Sequence, residues 1–422
     1  MQIMMVVGAQ GGDEGKGKIV DYLASDYDVL IRFQGGNNAA HTVMVEQKPY
    51  TLHLVPSGIF RDHTIAFLGN GMVVSPDALK KELDELTEYG VDVSRIYISE
   101  KAHILFPHHV LIDNLSDKAN GVIDTTRCGI GPAYMDKASR EGIRFEDLKH
   151  PELLREKLKK ILPRINTILK MYDCPPRDFE EEFQRCEEWS RWILPMLKEP
   201  VSFMQECLKE NKKMLFEGQL GVLRDLDLGT YPYVTSSSPT AAYACAVSGI
   251  PIKKVTDIVG VVRAYPILAG NGPFPTEMEE SVASVLRGTG EKPDDEYGGT
   301  TGRARRIGWL DLPALRYSAG INGYTKIALC KLDKLDDFSE IRVCTHYILD
   351  GDRIDYMPDT VELARVRPCY ITVPGWEEST RHIRFISDLP KNAQNYIKLI
   401  EEAVQAPVVC VGVGPDRDEI AV

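Results

Sequence analysis

The sequence predicts an α/β fold: a large, mainly parallel central sheet flanked by helices, with a P-loop-like glycine-rich loop and a helical insertion. Three observations predict it. Short apolar runs alternate with helical periodicity along most of the chain. The first apolar run passes through a glycine-rich loop directly into a helix, a unit that turns backbone N–H groups toward an anion. Later apolar runs also end in glycines and polar residues, where open α/β sheets keep their sites.

Ile3 to Val7 reads as a buried first strand, and Ile19 to Ala24 as the start of a helix. Between them lies Gly8-Ala9-Gln10-Gly11-Gly12-Asp13-Glu14-Gly15-Lys16-Gly17-Lys18. Its glycines let backbone approach a phosphate, and its lysines supply charge. Gly12 to Lys18 has Walker A spacing, but Ile19 stands where a Ser or Thr hydroxyl would hold magnesium. Either the loop is structural or the metal ligand comes from elsewhere. Asp13 and Glu14 would repel phosphate unless a cation lies between, or one of them does acid–base work.

Asp28 to Phe33 is a second strand that runs into Gln34-Gly35-Gly36-Asn37-Asn38-Ala39-Ala40-His41. His41 is the titratable group here suited to proton transfer near neutrality. Thr51 to Ile59 reads as a strand and turn, and Ala66 to Leu68 as a strand. Pro76 to Tyr89 has helical spacing, with a Pro start and a Gly90 stop. Asp124 to Tyr134 reads as a polar, glycine-punctuated loop. Residues 147–213 read as a helical layer beside the sheet, with Leu153, Leu154, Leu158, Ile161 and Leu162 on one apolar face.

The sheet resumes at Met214 to Gly218 and continues through Asp225 to Ser238, then Val255 to Val262. Gly298 to Trp309 carries Arg303, Arg305 and Arg306 with no acidic residue among them, a pattern suited to carboxylate or phosphate. Lys326 to Cys330 is a core strand ending in Lys331-Leu332-Asp333, where a carboxylate and a lysine stem can read a guanine. Val408 to Gly412 returns as a strand before Gly414-Pro415. No linker or repeat divides the chain, so residues 1–422 read as one integrated unit.

Composition bounds the function. The chain has 422 residues, 43% hydrophobic and 27% charged, as globular proteins do. No apolar run reaches the length of a membrane span, and no signal pattern opens the chain. Nine cysteines without a C-x-x-C pair fit a reducing cytoplasm. A net charge of −12 argues against a general nucleic-acid binder, but not against small anions held by local arginines. A dinucleotide dehydrogenase fits poorly, because the loop lacks G-x-G-x-x-G, and an ordinary P-loop kinase fits poorly because of Ile19.

These motifs together resemble adenylosuccinate synthetase. Gly-Asp-Glu-Gly-Lys-Gly-Lys, Gly-Gly-Asn-Asn-x-x-His-Thr, Gly-Ile-Gly-Pro-Ala-Tyr, Gly-Thr-Tyr-Pro-Tyr-Val-Thr-Ser-Ser, Gly-Pro-Phe-Pro-Thr-Glu and Thr-Thr-Gly-Arg-x-Arg-Arg occur in the family's order. The resemblance implies a magnesium-dependent, homodimeric ligase that joins L-aspartate to IMP at the expense of GTP, through a 6-phosphoryl intermediate. It implies Asp13 as base and magnesium ligand, with the Ala40 carbonyl beside it, and His41 as acid. Gly12, Gly15, Lys16, Gly17, Lys331, Asp333, Gly412 and Gly414 would hold GTP. Asn38, Thr126, Thr235, Gln219 and Arg303 would hold IMP, with Arg140 arriving from the partner subunit. Thr300, Thr301, Arg303 and Arg305 would grip aspartate.

Several positions depart from the family pattern. Arg127-Cys128 replaces Gly-Arg, Gln219-Leu220 replaces Ala-Gln, and Ile267-Leu268-Ala269 replaces Thr-Arg-Val. Ala40 replaces a glycine, and Gly11 a tryptophan. Two other readings therefore stay open: the same chemistry on another purine nucleotide or amino acid, and a non-catalytic nucleotide-binding relative. Retention of both Asp13 and His41 speaks against the second.

Overall fold

The computed structural model of the protein describes residues 2–46, 48–120, 125–292, 294–298 and 302–422. Ten strands form the central sheet. In chain order they are β1 (Ile3–Gly8), β2 (Val29–Arg32), β3 (Ile65–Leu68), β4 (Ile96–Ser99), β5 (Leu197–Lys198), β6 (Met214–Gly221), β7 (Asp257–Arg263), β8 (Lys326–Cys330), β9 (Val408–Gly412) and β10 (Ile420–Ala421). Across the sheet the order is β10-β9-β8-β7-β1-β6-β2-β3-β4-β5. Neighbours run parallel except β9 and β10.

Every residue of β1 is buried. Ile3, Met5 and Val7 join one apolar cluster, and Met4 and Val6 another. Alternate strand residues leave opposite faces, so this sheet is covered on both sides. The chain lays β2 to β5 outward from β1, returns to insert β6 between β1 and β2, then lays β7 to β10 on the other flank. The build-out reverses beside β1, and the carboxyl ends of the strands at such a reversal are where open α/β sheets form their binding crevice.

The helices follow from local chemistry. Helix α1 (Lys16–Leu23) starts after Gly15, whose φ of 97° favours a residue without Cβ. Helix α2 (Pro76–Glu88) is capped by the Ser75 side chain on the Ala78 N–H and begins with Pro76. Helix α3 (Pro107–Asn120) precedes α4 (Ile130–Ser139). The sequence reading made the stretch through Tyr134 a loop; from Ile130 it is helix, because Ile130, Ala133 and Tyr134 form a buried face against Val73 and Leu105.

The helical layer comprises α5 (Pro151–Met171), α6 (Phe179–Ile193) and α7 (Pro200–Lys209), with the edge strand β5 between α6 and α7. Leu154, Leu158, Ile161 and Leu162 are buried together with Phe183 and Trp189. Leu153 is 43% exposed and leaves the expected face, since one residue turns about 100° around a helix. Asp225 to Ser238 is not strand either. The Asp225 carboxylate accepts from the N–H groups of Asp227 and Leu228 and from the Ser238 hydroxyl, which bends the segment into turns. Among the described residues no helix is long and apolar enough to cross a membrane, and all nine cysteines are free thiols.

Candidate active site

The site residues collect at the carboxyl ends of the central strands. β1 leads into Gly12 to Lys16, and β2 into Asn38 and His41. β6 carries Glu217 and Gln219, and β7 ends in Arg263. Lys331 follows β8, and Gly412 closes β9. The sheet topology thus brings together residues separated by up to 400 positions.

The two acids of the loop part company. Glu14 is fully buried. One oxygen accepts the N–H groups of Gln10 and Gly12 at 3.1 and 2.9 Å, and the other pairs with Lys16. Glu14 therefore braces the loop from within. Asp13, at φ 55°, turns the other way. Its carboxylate is 28% exposed and meets Arg305 Nη2 at 2.8 Å, while its carbonyl accepts from Arg263 Nη1 at 2.8 Å. The lysines also divide. Lys16 stays at the loop, but Lys18 Nζ donates to the carbonyls of Gly414 and Glu419 at 2.6 and 2.8 Å. Its charge ties the C-terminal turn to α1 instead of serving phosphate.

His41 opens a hairpin strand against α1, so close that a Cβ on Gly17 would lie 3.1 Å from the His41 Cβ. Its Nδ1 lies 2.5 Å from Glu217 Oε1. Glu217 also accepts from the Ser57 N–H and hydroxyl at 2.8 and 2.6 Å. A carboxylate at that range is an acceptor, so Nδ1 carries the proton. Burial lowers the His41 pKa, and the Arg32 charge adds to this against the pull of Glu217. Burial would raise Glu217, yet His41 and Arg32 hold it ionised. Sequence reasoning missed Glu217; its place at the end of an apolar run was the available signal.

Gln219 is fully buried and its amide is already used. Oε1 accepts from Arg32 at 2.9 Å, and Nε2 donates to Asn38 Oδ1 at 2.6 Å. It stands behind Asn38 and holds that side chain in place. Leu220 adopts φ 62° and packs over Gly12. Arg224, also missed, donates to the carbonyls of Tyr233 and Ala269 and stands within the field of Asp13. Thr235 is joined to the same segment through its N–H on the Arg224 carbonyl at 2.9 Å.

The arginine loop is less naked than its sequence implied. Arg305 pairs with Glu296 as well as Asp13, and Arg306 with Glu277. Arg127, which stands beside Cys128, turns to Asp117 at 2.8 Å. Thr126 is half-buried next to it. Thr300 and Thr301 lie outside the described residues. Arg140 ends α4 with φ 64° and is exposed. Helix α4 itself is clamped to the Asn38 loop: Tyr134 OH accepts from the Gly35 N–H at 2.9 Å and donates to the Gly71 carbonyl at 2.7 Å.

At the other end of the crevice, Lys331 (φ 63°) donates to the Asp294 carbonyl at 2.9 Å. The Asp333 side chain is 3% exposed; among the described residues its Oδ1 has no hydrogen-bond partner, and its Oδ2 lies 3.6 Å from Arg381. Burial raises its pKa. A buried carboxylate oxygen without a donor is costly unless a ligand supplies one. A base that offers adjacent N–H groups, as guanine does, meets that need.

A loop of backbone amides, a carboxylate facing out, a histidine–glutamate pair and an arginine loop define a nucleotide-dependent group-transfer enzyme. The adenylosuccinate synthetase family model matches residues 5–421. The chain is 46% identical to adenylosuccinate synthetase 1 of Methanosarcina acetivorans over 423 residues, which is 100% of both chains. It is 47% identical to the Chlorobium chlorochromatii adenylosuccinate synthetase, over 98% of this chain and 96% of that one. The fully ligated Plasmodium falciparum adenylosuccinate synthetase superposes with a TM-score of 0.93 at 39% identity, covering 100% of both chains. The chain belongs to the adenylosuccinate synthetase family. That family joins L-aspartate and IMP into adenylosuccinate, with GTP as co-substrate and magnesium as cofactor.

The donor set fits magnesium, which takes hard oxygen ligands. With Glu14 consumed inside the loop, the Asp13 carboxylate is left facing outward.

Proposed function

We propose that this chain ligates IMP and aspartate with Asp13 as the base and His41 as the acid. The observation that carries the assignment is the divided loop: Glu14 is spent internally while Asp13 faces out. Asp13 accepts the purine N1 proton, so electron density moves to O6. O6 attacks the γ-phosphorus of GTP, and GDP leaves. The amine of aspartate then adds at C6, and phosphate departs with O6. Phosphate is the better leaving group, which is why a nucleotide is consumed. Magnesium, when bound, supplies positive charge beside the transferring phosphoryl group. His41 offers a proton from Nε2 to the phosphoryl oxygens, with Glu217 steadying the imidazolium.

Gly12, Gly15, Lys16 and Gly17 hold the GTP phosphates in this reading, Lys331 and Asp333 the guanine, and Gly412 and Gly414 its outer edge. Asn38, braced by Gln219, holds IMP with Thr126, Thr235 and Arg303. Arg303 and Arg305, with Thr300 and Thr301, grip the aspartate carboxylates. The chain works as a homodimer in the cytoplasm. Support for the dimer is the exposure of Arg140 at the end of α4 and of Met135 on the same helix, the latter 66% exposed. Mixing inactive Asp13→Ala and Arg140→Leu chains should restore turnover if Arg140 crosses the interface; no restoration removes that role. The ten strands draw on residues 3 to 421, which supports one cooperative unit. A single calorimetric transition is expected.

The test of the function is phosphate release with magnesium, GTP and aspartate, offering IMP, dIMP, GMP and dGMP in parallel. Turnover with IMP and a product absorbing as adenylosuccinate is expected. Turnover only with another nucleotide would mean that Leu220, Arg224 and Leu268 redefine the substrate.

A further inference from the structure

Glu296 belongs to none of the roles above, yet it stands where three of them meet. Its side chain is fully buried. Oε1 receives Arg263 Nη2 and the Tyr265 hydroxyl, the latter at 2.8 Å, and lies 3.8 Å from Lys331 Nζ. Oε2 receives Arg305 Nη1 at 3.1 Å. The backbone joins in: Glu296 N–H donates to the Arg287 carbonyl, and Arg305 N–H to the Glu296 carbonyl, at 2.8 and 3.0 Å.

The cations come from different places. Arg263 ends β7 and also holds the Asp13 carbonyl. Arg305 closes the arginine loop and reaches the Asp13 carboxylate through Nη2. Lys331 follows β8 in the guanine region. One carboxylate thus fixes one branch of the Arg305 fork and leaves the other branch to face the reacting groups. Burial would raise its pKa, but Arg263, Lys331 and Arg305 keep it ionised. Two of these cations share its Oε1, so any displacement of Lys331 changes the charge felt by the oxygen pair that steers Arg305.

We propose that Glu296 is the positioning residue that couples the guanine end of the site to the amino-acid end, by holding Arg305 in register with Lys331. The proposal rests on the assignment of Arg305 to aspartate and Lys331 to the guanine nucleotide. When the nucleotide engages Lys331, Glu296 transmits the change to the Arg305 fork, so GTP binding favours aspartate binding. By linkage, aspartate favours GTP to the same extent.

The test is Glu296→Gln, which keeps shape and removes charge. Aspartate KM is expected to rise about tenfold and GTP KM about threefold, with IMP KM unchanged and kcat within about threefold. A structural role alone would lower the melting temperature and leave this pattern absent. Two controls test the underlying assignment: Asp333→Asn should raise GTP KM alone, and Arg303→Leu should raise aspartate KM, with or without IMP KM, and leave GTP KM unchanged. If the controls fail, the site reading fails. If they hold and folded Glu296→Gln leaves either KM at its wild-type value, or raises IMP KM equally, the coupling role is overturned. Should Glu296→Gln not fold, Lys331→Met decides: raised aspartate KM supports the coupling, and an unchanged value overturns it.

Discussion

Asp13 Oδ2 and Arg305 Nη2 meet at 2.8 Å, so the expected base and an expected substrate-binding arginine neutralise each other across the crevice. Neither has a second, tighter hold on the other: Asp13 is anchored through its carbonyl and Arg305 through Glu296. Both charged groups can therefore exchange this contact for substrate without leaving a buried charge unpaired.

Asp13→Ala is expected to lower kcat by about three orders of magnitude, the scale of a lost general base. The fold should survive, because Glu14, not Asp13, holds the loop together. Circular dichroism and a phosphate-release assay on the same sample check both halves. Near-normal turnover would remove Asp13 from the chemistry.

Glu217→Gln should lower kcat about a hundredfold with substrate KM values retained. The carboxylate favours the protonated His41 imidazole, opposing burial and Arg32. Without it the imidazole gives up its proton more readily. The alkaline limb of the kcat–pH profile should therefore move to lower pH. A profile that keeps its alkaline limb would separate His41 from the acid role.

Lys18→Met should destabilise the protein by about 1–3 kcal/mol, since the carbonyls of Gly414 and Glu419 lose their shared donor. It should also raise GTP KM, because the same bonds seat the Gly412–Gly414 turn. Denaturant unfolding and steady-state kinetics give the two readings. An unaltered GTP KM would detach this turn from the nucleotide.

His108→Phe tests a buried histidine to which no role above is assigned. Among the described residues neither ring nitrogen of His108 has a partner, and the ring stacks on Phe106 at 5.2 Å. Burial, then the neighbouring His109, lowers its pKa well below the ordinary value. The folded chain then keeps His108 neutral while the unfolded chain gains a proton below pH about 6.5. Wild-type stability should fall in that window by about 2 kcal/mol between pH 6.5 and 5 from this group. The variant should lack that share, so its melting temperature should gain on wild type as pH drops from 8 to 5. A constant difference would show that His108 does not contribute.

Much of this was legible in the sequence, for physical reasons. Buried parallel strands are continuous apolar runs, and Ile3–Gly8, Lys326–Cys330 and Val408–Gly412 fall where those runs are. Loops that hold phosphate need glycine at fixed places, so Gly12 and Gly15 stand out and do adopt positive φ. The family is written in motifs, and with it the reaction. Other features were decided only by the tertiary structure. Which carboxylate of the Asp13–Glu14 pair faces outward depends on φ at Asp13 and on the amides of Gln10 and Gly12. Glu217 lies 176 positions from His41, and Glu296 lies 33 from Arg263. No local pattern announces such partners, because they become neighbours only when β6 inserts beside β1 and the arginine loop folds back on β7. The sequence by itself determined the core apolar strands, the glycine-rich loop and the chemistry available, but not Asp225 to Ser238, which reads as strand and folds into turns. Sheet order alone decided which charges meet, since pairing depends on distance in space and not along the chain.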